Sequence, residues 1–343
     1  MKNIAIRDLK LGDELALDVT NNIGITFLSK GTFLNQGHID SFYRNGVDSV
    51  FIEDVDNKES IAIIKDQYLI ALNEFKKIYM SSRIGTSIDS VDYKSIVNGL
   101  FKQYIESNDV LGKIRALNIE DLYIYRHAVN VSIVSMCIGK WLRFSKSEII
   151  DLGIAGYLHD IGKCNIPGNI LNKPERLTDQ EFDKMKEHSI FSHDLIQSIP
   201  QVNEKIMEGI LFHHERLDGS GYPNNARGNE IPIYGRILAV ADVFDAILSD
   251  RIYSSKSTPY KAVEIIKDES YGKLDPKIVN LLVKNVADFY VGNIVKLSNG
   301  EIGEVILLNK SNIARPLVRI NDDNFVDLSM NYQVEIIEVL KKN

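Results

Sequence analysis

Seven histidines stand in the chain, at positions 38, 127, 159, 188, 193, 213 and 214, and five of them lie beside features suited to metal binding. His159 is followed directly by Asp160 and then by Ile161-Gly162-Lys163, where the glycine is expected to end a helix and turn the chain. His213 and His214 are adjacent and run into Glu215-Arg216-Leu217-Asp218-Gly219-Ser220-Gly221-Tyr222-Pro223. Asp242 falls inside the apolar run from Ile237 to Leu248, where an unpaired carboxylate would be costly. Imidazoles and carboxylates together, with no cysteine required, suit iron, manganese or zinc. A carboxylate such as Asp160 can bridge two ions through its two oxygens while imidazoles complete each shell. Two ions so held can carry a hydroxide nucleophile and polarise a phosphoryl oxygen, which are the two needs of phosphodiester hydrolysis. Their own charge balances an anionic substrate without a basic protein surface.

Each of these residues also has a plainer reading. His38 reads as a structural or surface residue, and so does His193, which follows His188 by five positions and turns away from it on a helix. His213 and His214 can be read as a helix end with two solvated rings, and Asp242 as a cap or as a partner of Arg236. Their joint occurrence, with a glycine-rich turn after His214, argues against so many coincidences.

The elements that must position these side chains fall into three regions. Residues 1–56 carry short apolar runs, Leu15 to Val19, Ile25 to Leu28 and Val50 to Ile52, punctuated by Gly12, Gly24, Gly31 and Gly46. That pattern predicts a small strand-rich domain with one helix. Residues 57–288 are helical in period: Ile61, Ile64, Tyr68, Leu72, Phe75 and Tyr79 recur at spacings of three and four. Ser81 to Asp92 is the weakest-patterned stretch and predicts a loop between helices. Residues 289–343 return to short runs, and Asn299-Gly300 between two of them is a hairpin signal. The fold class is therefore mainly α, a helical domain with small β-rich N-terminal and C-terminal domains.

Composition narrows the partners. A length of 343 residues predicts two or three domains, and 44% hydrophobic with 25% charged residues is the balance of a soluble globular protein. A net charge of -7 argues against a nucleic-acid polymer as partner but leaves room for a small anion held by a local cluster. Met1 to Lys10 does not resemble a signal peptide, and Val129 to Leu142 is too short and polar to span a bilayer. Two cysteines, Cys137 and Cys164, make no disulfide framework and fit a reducing compartment. A cytoplasmic protein with no membrane partner is the expectation.

The motif His159-Asp160-Ile161-Gly162-Lys163 resembles the HD signature, and His213 to Pro223 resembles the GYP signature nearly residue for residue. Pro167, Lys173-Pro174, Leu177-Thr178, Glu181, Met185 and His188 between them are similar to the same HD-GYP family, as is Ile237 to Tyr253. The resemblance covers residues 119–284 and is far more specific than a lone His-Asp pair.

It implies an all-helical HD-type domain holding two divalent ions per chain, with iron first and manganese second. By matched position, His127, His159, Asp160 and Asp242 hold one ion. The other shares Asp160 and takes His188, His213 and His214. Asp160 and Lys163 are the implied catalytic residues, Lys163 on the scissile phosphate. Tyr222 with Gly221, and Arg251, match positions at the substrate or the lid near it. Asp245, nearly on the same helix face as Asp242, is grouped with that side and is also a candidate partner of a ligand. Two departures matter. Tyr123 stands where relatives with a third ion have a glutamate, which predicts a two-ion centre. Ser254 or Ser255 stands where many relatives have a basic residue, with Lys256 nearby.

The implied activity is hydrolysis of cyclic di-GMP to linear pGpG, by a hydroxide bridging the metals, with the step on to GMP left open. Alternatives are another cyclic dinucleotide, such as a GMP-AMP hybrid, or a slow sensor that binds the nucleotide and signals through its flanking domains. Family analogy adds a homodimer and regulatory partners at the terminal domains.

Overall fold

The computed structural model describes the chain apart from residues 107–122, 250–264, 289–290 and 310–314, single positions 269, 322 and 343, and scattered positions among the first 54. Near the N-terminus, strand β1 (Lys2–Ala5) pairs antiparallel with β4 (Ser49–Ile52), and β2 (Val19–Thr20) pairs with β3 (Thr26–Leu28). Helix α1 (Gln36–Arg44) lies between β3 and β4 in sequence. Ile6, Leu15, Val19, Leu34, Ile39, Phe42 and Val50 form a core of their own there. The four glycines expected to punctuate this region lie outside the described residues.

The helical part is built around two helices, α4 (Tyr123–Trp141) and α5 (Lys146–Leu158). Every residue of α4 from His127 to Gly139 is buried, so this is a central helix with no solvent face. Each Val or Ile taken from water in this way contributes about 1.5–3 kcal/mol. Ser145 and Glu148 start α5 with a reciprocal cap, the serine oxygen accepting from the Glu148 N–H and the glutamate from the Ser145 N–H. Around this pair pack α2 (Val55–Arg83), α3 (Tyr93–Leu100), α9 (Glu204–Phe212) and α10 (Ile233–Ser249). The chain between α5 and α9 forms a 3-10 turn over Ile161–Asn165, then α6 (Gly168–Leu171), α7 (Asp179–Lys186) and α8 (His188–Ile196). Helix α11 (Pro276–Asp288) closes the helical part.

Ser81 and Ser82, expected in a loop, instead belong to the last turn of α2. Ser82 is buried, and the bend begins only at Ile84. The C-terminal strands β5 (Asn293–Leu297), β6 (Ile302–Leu307), β7 (Leu317–Arg319), β8 (Phe325–Asp327) and β9 (Ile336–Lys342) form an antiparallel sheet in the order β8-β7-β6-β5-β9. The Asn299-Gly300 turn joins β5 to β6, with Gly300 at φ 92° where a side chain would strain the backbone. Val295, Leu297, Val305 and Val318 of this sheet belong to the same hydrophobic cluster as the helices. Among the described residues, no helix is long and apolar enough to cross a membrane.

Close approach of α4 to α5 depends on Gly156, where a Cβ would lie 2.8 Å from Ser132 Cα and 2.9 Å from Val131 O. Backbone cannot yield as a flexible side chain does. Gly156→Ala should lower the unfolding free energy by roughly 1–3 kcal/mol, read as a shifted urea midpoint. An unchanged midpoint would show that the two helices separate without cost.

Candidate metal centre

The site forms where five segments end or cross. His127 comes from the second turn of α4, while His159 and Asp160 follow α5 and Lys163 lies in the 3-10 turn after it. His188 opens α8, His213 and His214 follow α9, and Asp242 and Asp245 project from the middle of α10. His127, His159, Asp160, His188 and His213 are all buried.

Their donor atoms fall into two groups, Asp160 with His188, His213 and His214, and His127 with His159 and Asp242. Within each group the atoms lie within 4.8 Å of one another. Asp160 joins the groups. Its Oδ1 is 3.3 Å from His188 Nε2, while its Oδ2 is 3.4 Å from His159 Nε2 and 3.6 Å from His127 Nε2. Asp242 Oδ1 is 3.0 Å from His127 Nε2, and its Oδ2 is 3.9 Å from His214 Nδ1.

Hydrogen bonds fix how each ring is presented. Nδ1 of His159, His188 and His213 lies 2.8, 2.7 and 2.5 Å from the carbonyl three residues earlier, on Gly156, Met185 and Ile210. A carbonyl only accepts, so each neutral ring keeps its proton on Nδ1 and turns an Nε2 lone pair inward. His127 Nδ1 instead meets Asp245 Oδ2 at 2.7 Å, and Asp245 Oδ1 accepts from Asn130 at 2.8 Å. Tyr68 donates to Asn130 Oδ1 at 2.8 Å, so a buried chain of three side chains, Asp245, Asn130 and Tyr68, orients His127.

Electrostatics keep most of the set in ligating form. Burial pushes His188 down to about 4 and His213, further opposed by His159 and His188, down to about 3. His214 is driven well below its ordinary value, by burial first and then by His213. For His127, burial acts downward too, but the bonds to Asp242 and Asp245 outweigh it and raise the ring to about 10. Burial opposes the charge on Asp160 and Asp242. Lys163 and His159 hold Asp160 ionised well below the usual carboxylate range, and His127 does the same for Asp242.

Such an arrangement fits cations. His159 Nε2 and Asp160 Oδ1 are buried without a hydrogen-bond partner. His188 Nε2 faces His214 Nε2 at 3.0 Å and His213 Nε2 at 3.5 Å, with no proton on His188 or His213 to place between them. Lone pairs gathered at such distances repel unless positive charge lies among them.

Lys163 Nζ pairs with Asp160 Oδ2 at 2.5 Å. Tyr222 stacks on His214, centroids 4.7 Å apart and planes at 27°, beside a cleft of about 550 Å³ that Arg216, Gly221 and Lys273 also line. Gly221 has no room for a side chain, since a Cβ would lie 2.4 Å from Glu215 Cα and 2.5 Å from His214 O.

Residues 113–278 match the HD domain family. This stretch of the helical region is similar to HD domains. The cyclic di-GMP phosphodiesterase PA4108 of Pseudomonas aeruginosa is 31% identical to this chain over 243 residues, 71% of this chain and 58% of that protein. A cyclic di-GMP phosphodiesterase of Thermotoga maritima is 37% identical over 174 residues, 50% of this chain and 47% of that one. The 3'3'-cGAMP-specific phosphodiesterase 2 of Vibrio cholerae is 35% identical over 164 residues, 48% of this chain and 31% of its own. The chain thus spans about half the length of the first two of these relatives. Among solved structures, Bd1817, an HDG"Y"P protein of Bdellovibrio bacteriovorus, shares the fold with a TM-score of 0.55 at 16% identity. The match covers 82% of this chain and 98% of that one.

Within the matched residues, His127, His159, Asp160, His188, His213, His214 and Asp242 lie together, with Lys163 against them. Asp245 requires a correction. Grouped by sequence with the substrate side, it is only 2% exposed and sits behind His127, where it can reach a ligand but not a substrate. Asp242 does not pair with Arg236, which meets Asp275 at 3.1 Å, and His213 is not a solvated ring. His193 is turned away, 3.1 Å from Asp194. Arg251, Ser254, Ser255 and Lys256 lie outside the described residues.

Sequence reading missed three supports. Asn130 registers there only as a polar break in an apolar stretch, though its spacing of three from His127 puts it on the same helix face. Tyr68 reads as one more apolar position of α2. Glu215, 1% exposed, accepts from the Asn224 N–H at 2.6 Å and the Ala226 N–H at 3.0 Å, and so pins the turn that carries Tyr222.

Two outcomes follow from the geometry. Asp245→Asn leaves His127 without its anionic partner and should weaken metal binding about 10- to 100-fold in a chelator-competition titration. Unchanged affinity would remove Asp245 from the centre. The second concerns pH. Between about 6.5 and 4.5 the unfolded chain protonates His188, His213 and His214 while the folded chain refuses those protons, so stability falls as pH falls. His127, raised in the fold and already protonated there, adds stability until its unfolded ring has also taken up a proton over the same window, but one ring offsets only part of what three lose. Metal-free protein should therefore unfold at lower urea at pH 5 than at pH 7. An equal midpoint would mean that these rings are not buried neutral.

Proposed function

We propose that the chain is a cytoplasmic phosphodiesterase that hydrolyses cyclic di-GMP to linear pGpG, and pGpG onward to GMP, at a centre of two divalent ions. The observation that carries this reading is Asp160, whose two oxygens face two separate groups of inward-turned imidazoles. His127, His159, Asp160 and Asp242 would hold one ion, and Asp160, His188, His213 and His214 the other. When bound, such ions supply Lewis-acid polarisation of a phosphoryl oxygen and an acidified water at neutral pH. Iron suits this imidazole-rich donor set, and manganese is the second choice. Tyr123 stacks on His127 with centroids 5.7 Å apart and planes at 16°, and a phenol there in place of a carboxylate supports two ions over three.

The protein's own groups do the rest. Lys163 is held by Asp160 at the edge of the centre, still 23% exposed, and is placed to meet a phosphate oxygen. Tyr222, fixed against His214 and backed by the Glu215-pinned turn, walls the substrate side. The two unpaired, buried cysteines accord with a reducing compartment.

A second reading is 3'3'-cGAMP as substrate, favoured by the similarity to the Vibrio cholerae enzyme. Metal ligands do not report base identity, so competition kinetics between the two cyclic dinucleotides separate these readings.

Protein purified without oxygen should carry two ions per chain and convert cyclic di-GMP to pGpG. His159→Ala combined with Asp160→Ala should lose ions and turnover together. Lys163→Ala should keep both ions and lose about 10²- to 10³-fold in kcat, the usual cost of removing one charge-stabilising donor. Metal-loaded protein that turns over no cyclic dinucleotide under reducing conditions would overturn the reading.

A further inference from the structure

Helix α7 poses a question that the metal centre leaves open. It has no buried residue, yet it carries one large apolar side chain, Phe182, which is 47% exposed. Apart from Phe182 and Met185 it is built of acids, lysines and a glutamine, Asp179, Gln180, Glu181, Asp183, Lys184 and Lys186. A lone exposed phenylalanine needs no explanation by itself. This one lines the same cleft as His214 and Tyr222.

Its neighbours leave it in the form of a platform. Tyr222 meets it edge to face, centroids 6.5 Å apart and planes at 83°, while Tyr222 itself lies nearly flat on His214. Lys186 Nζ stands 4.8 Å over the Phe182 ring and is held there by Asp183 at 2.8 Å. The remaining ring surface is open. The same cleft is lined by Arg216, two of whose hydrogen bonds run to the backbone carbonyls of His213 and Glu215, and by Lys273. The cleft of about 550 Å³ also carries Asp183 and Glu187, but these are paired with Lys186 and Lys184, so an aromatic face with Arg216 and Lys273 is left to match one nucleotide unit, a flat base attached to an anionic phosphate.

We propose that Phe182 is the stacking platform for the nucleobase of the half of the substrate that is not being cleaved, with Arg216 and Lys273 attracting its phosphate. The proposal rests on the cyclic dinucleotide reading and deepens it. A cyclic dinucleotide has two bases and two phosphates, and only one phosphate can sit at the metals. The other half must extend past the metal ligands, and this cleft, lined by His214 and Tyr222, adjoins them. Stacking is tolerant of base identity because every base has a π face, so Phe182 supplies affinity and does not choose between guanine and adenine.

The test compares Phe182→Ala, Phe182→Leu and Phe182→Trp on cyclic di-GMP, 3'3'-cGAMP and an abasic ribose phosphodiester. Since Phe182 is half in water, all three variants should fold, as checked by their melting curves. KM for both cyclic dinucleotides should rise on the order of tenfold in the Ala and Leu variants, with kcat nearly unchanged, and stay near wild type in the Trp variant. The abasic diester should be cleaved with the same KM by all four proteins. Leu matching wild type would reduce Phe182 to apolar support. An equal KM rise on the abasic diester, or none on either dinucleotide, would refute the platform while the phosphodiesterase reading stood. If the wild type binds without turnover, calorimetric Kd replaces KM under the same criteria. A wild type that neither binds nor cleaves either dinucleotide overturns the reading and the platform together.

Discussion

Everything at the centre depends on where four imidazole protons go. Three rings give theirs to carbonyls at helix ends and turn lone pairs on a space that already holds two carboxylates, while the fourth, His127, is held between Asp245 and Asp242. Gathering these groups costs free energy: His188, His213 and His214 are held neutral, Asp160 and Asp242 are held charged, and the donors face one another unscreened. A packed core of apolar side chains would be the more stable solution for the same volume. The arrangement therefore depends on helices stiff enough to hold these donors in place.

That stiffness comes from α4 and α5. With Gly156 against the backbone of α4, the two helices approach closely, and the Gly156 carbonyl that results from this packing is the same one that orients His159. Gly162 repeats the logic one turn later. A Cβ there would lie 2.3 Å from His188 O, and its N–H donates to Ser192 Oγ at 2.8 Å, which sets α8 and hence His188 against the 3-10 turn. Packing and ligand orientation are thus one constraint, since moving either helix displaces a donor atom.

Much of this was legible in the residues because metal chemistry restricts residue type severely. Adjacent His-Asp and His-His pairs, and a carboxylate in an apolar helix, have few stable explanations, and the spacing of the motifs carries the rest. What supports the ligands is less legible. Asn130 and Tyr68 belong to ordinary helical patterns, and their pairing across 62 positions is a tertiary fact with no local signature. Asp245 shows the same limit from the other side. Helical spacing places it beside Asp242, but only the crossing of α10 with α4 decides that it faces a ligand's back and not the cleft. Strand β8 carried too short an apolar run to stand out, while the Asn299-Gly300 turn did, because a backbone at φ 92° leaves little choice of residue.

The two faces of the centre also differ in kind, and the difference bears on function. Behind His127 the contacts are buried and fully paired, through Asp245, Asn130 and Tyr68, as a fixed wall requires. In front, Lys163, His214 and Tyr222 are only partly covered, and Tyr222 is held by ring stacking and by a turn that Glu215 pins through backbone N–H groups. Stacking resists tilting less than a short hydrogen bond does, so this side can adjust while the ligand geometry stays put. A site of the proposed kind, gripping ions tightly and releasing a product built from two nucleotides, would need that division between rigid back and compliant front.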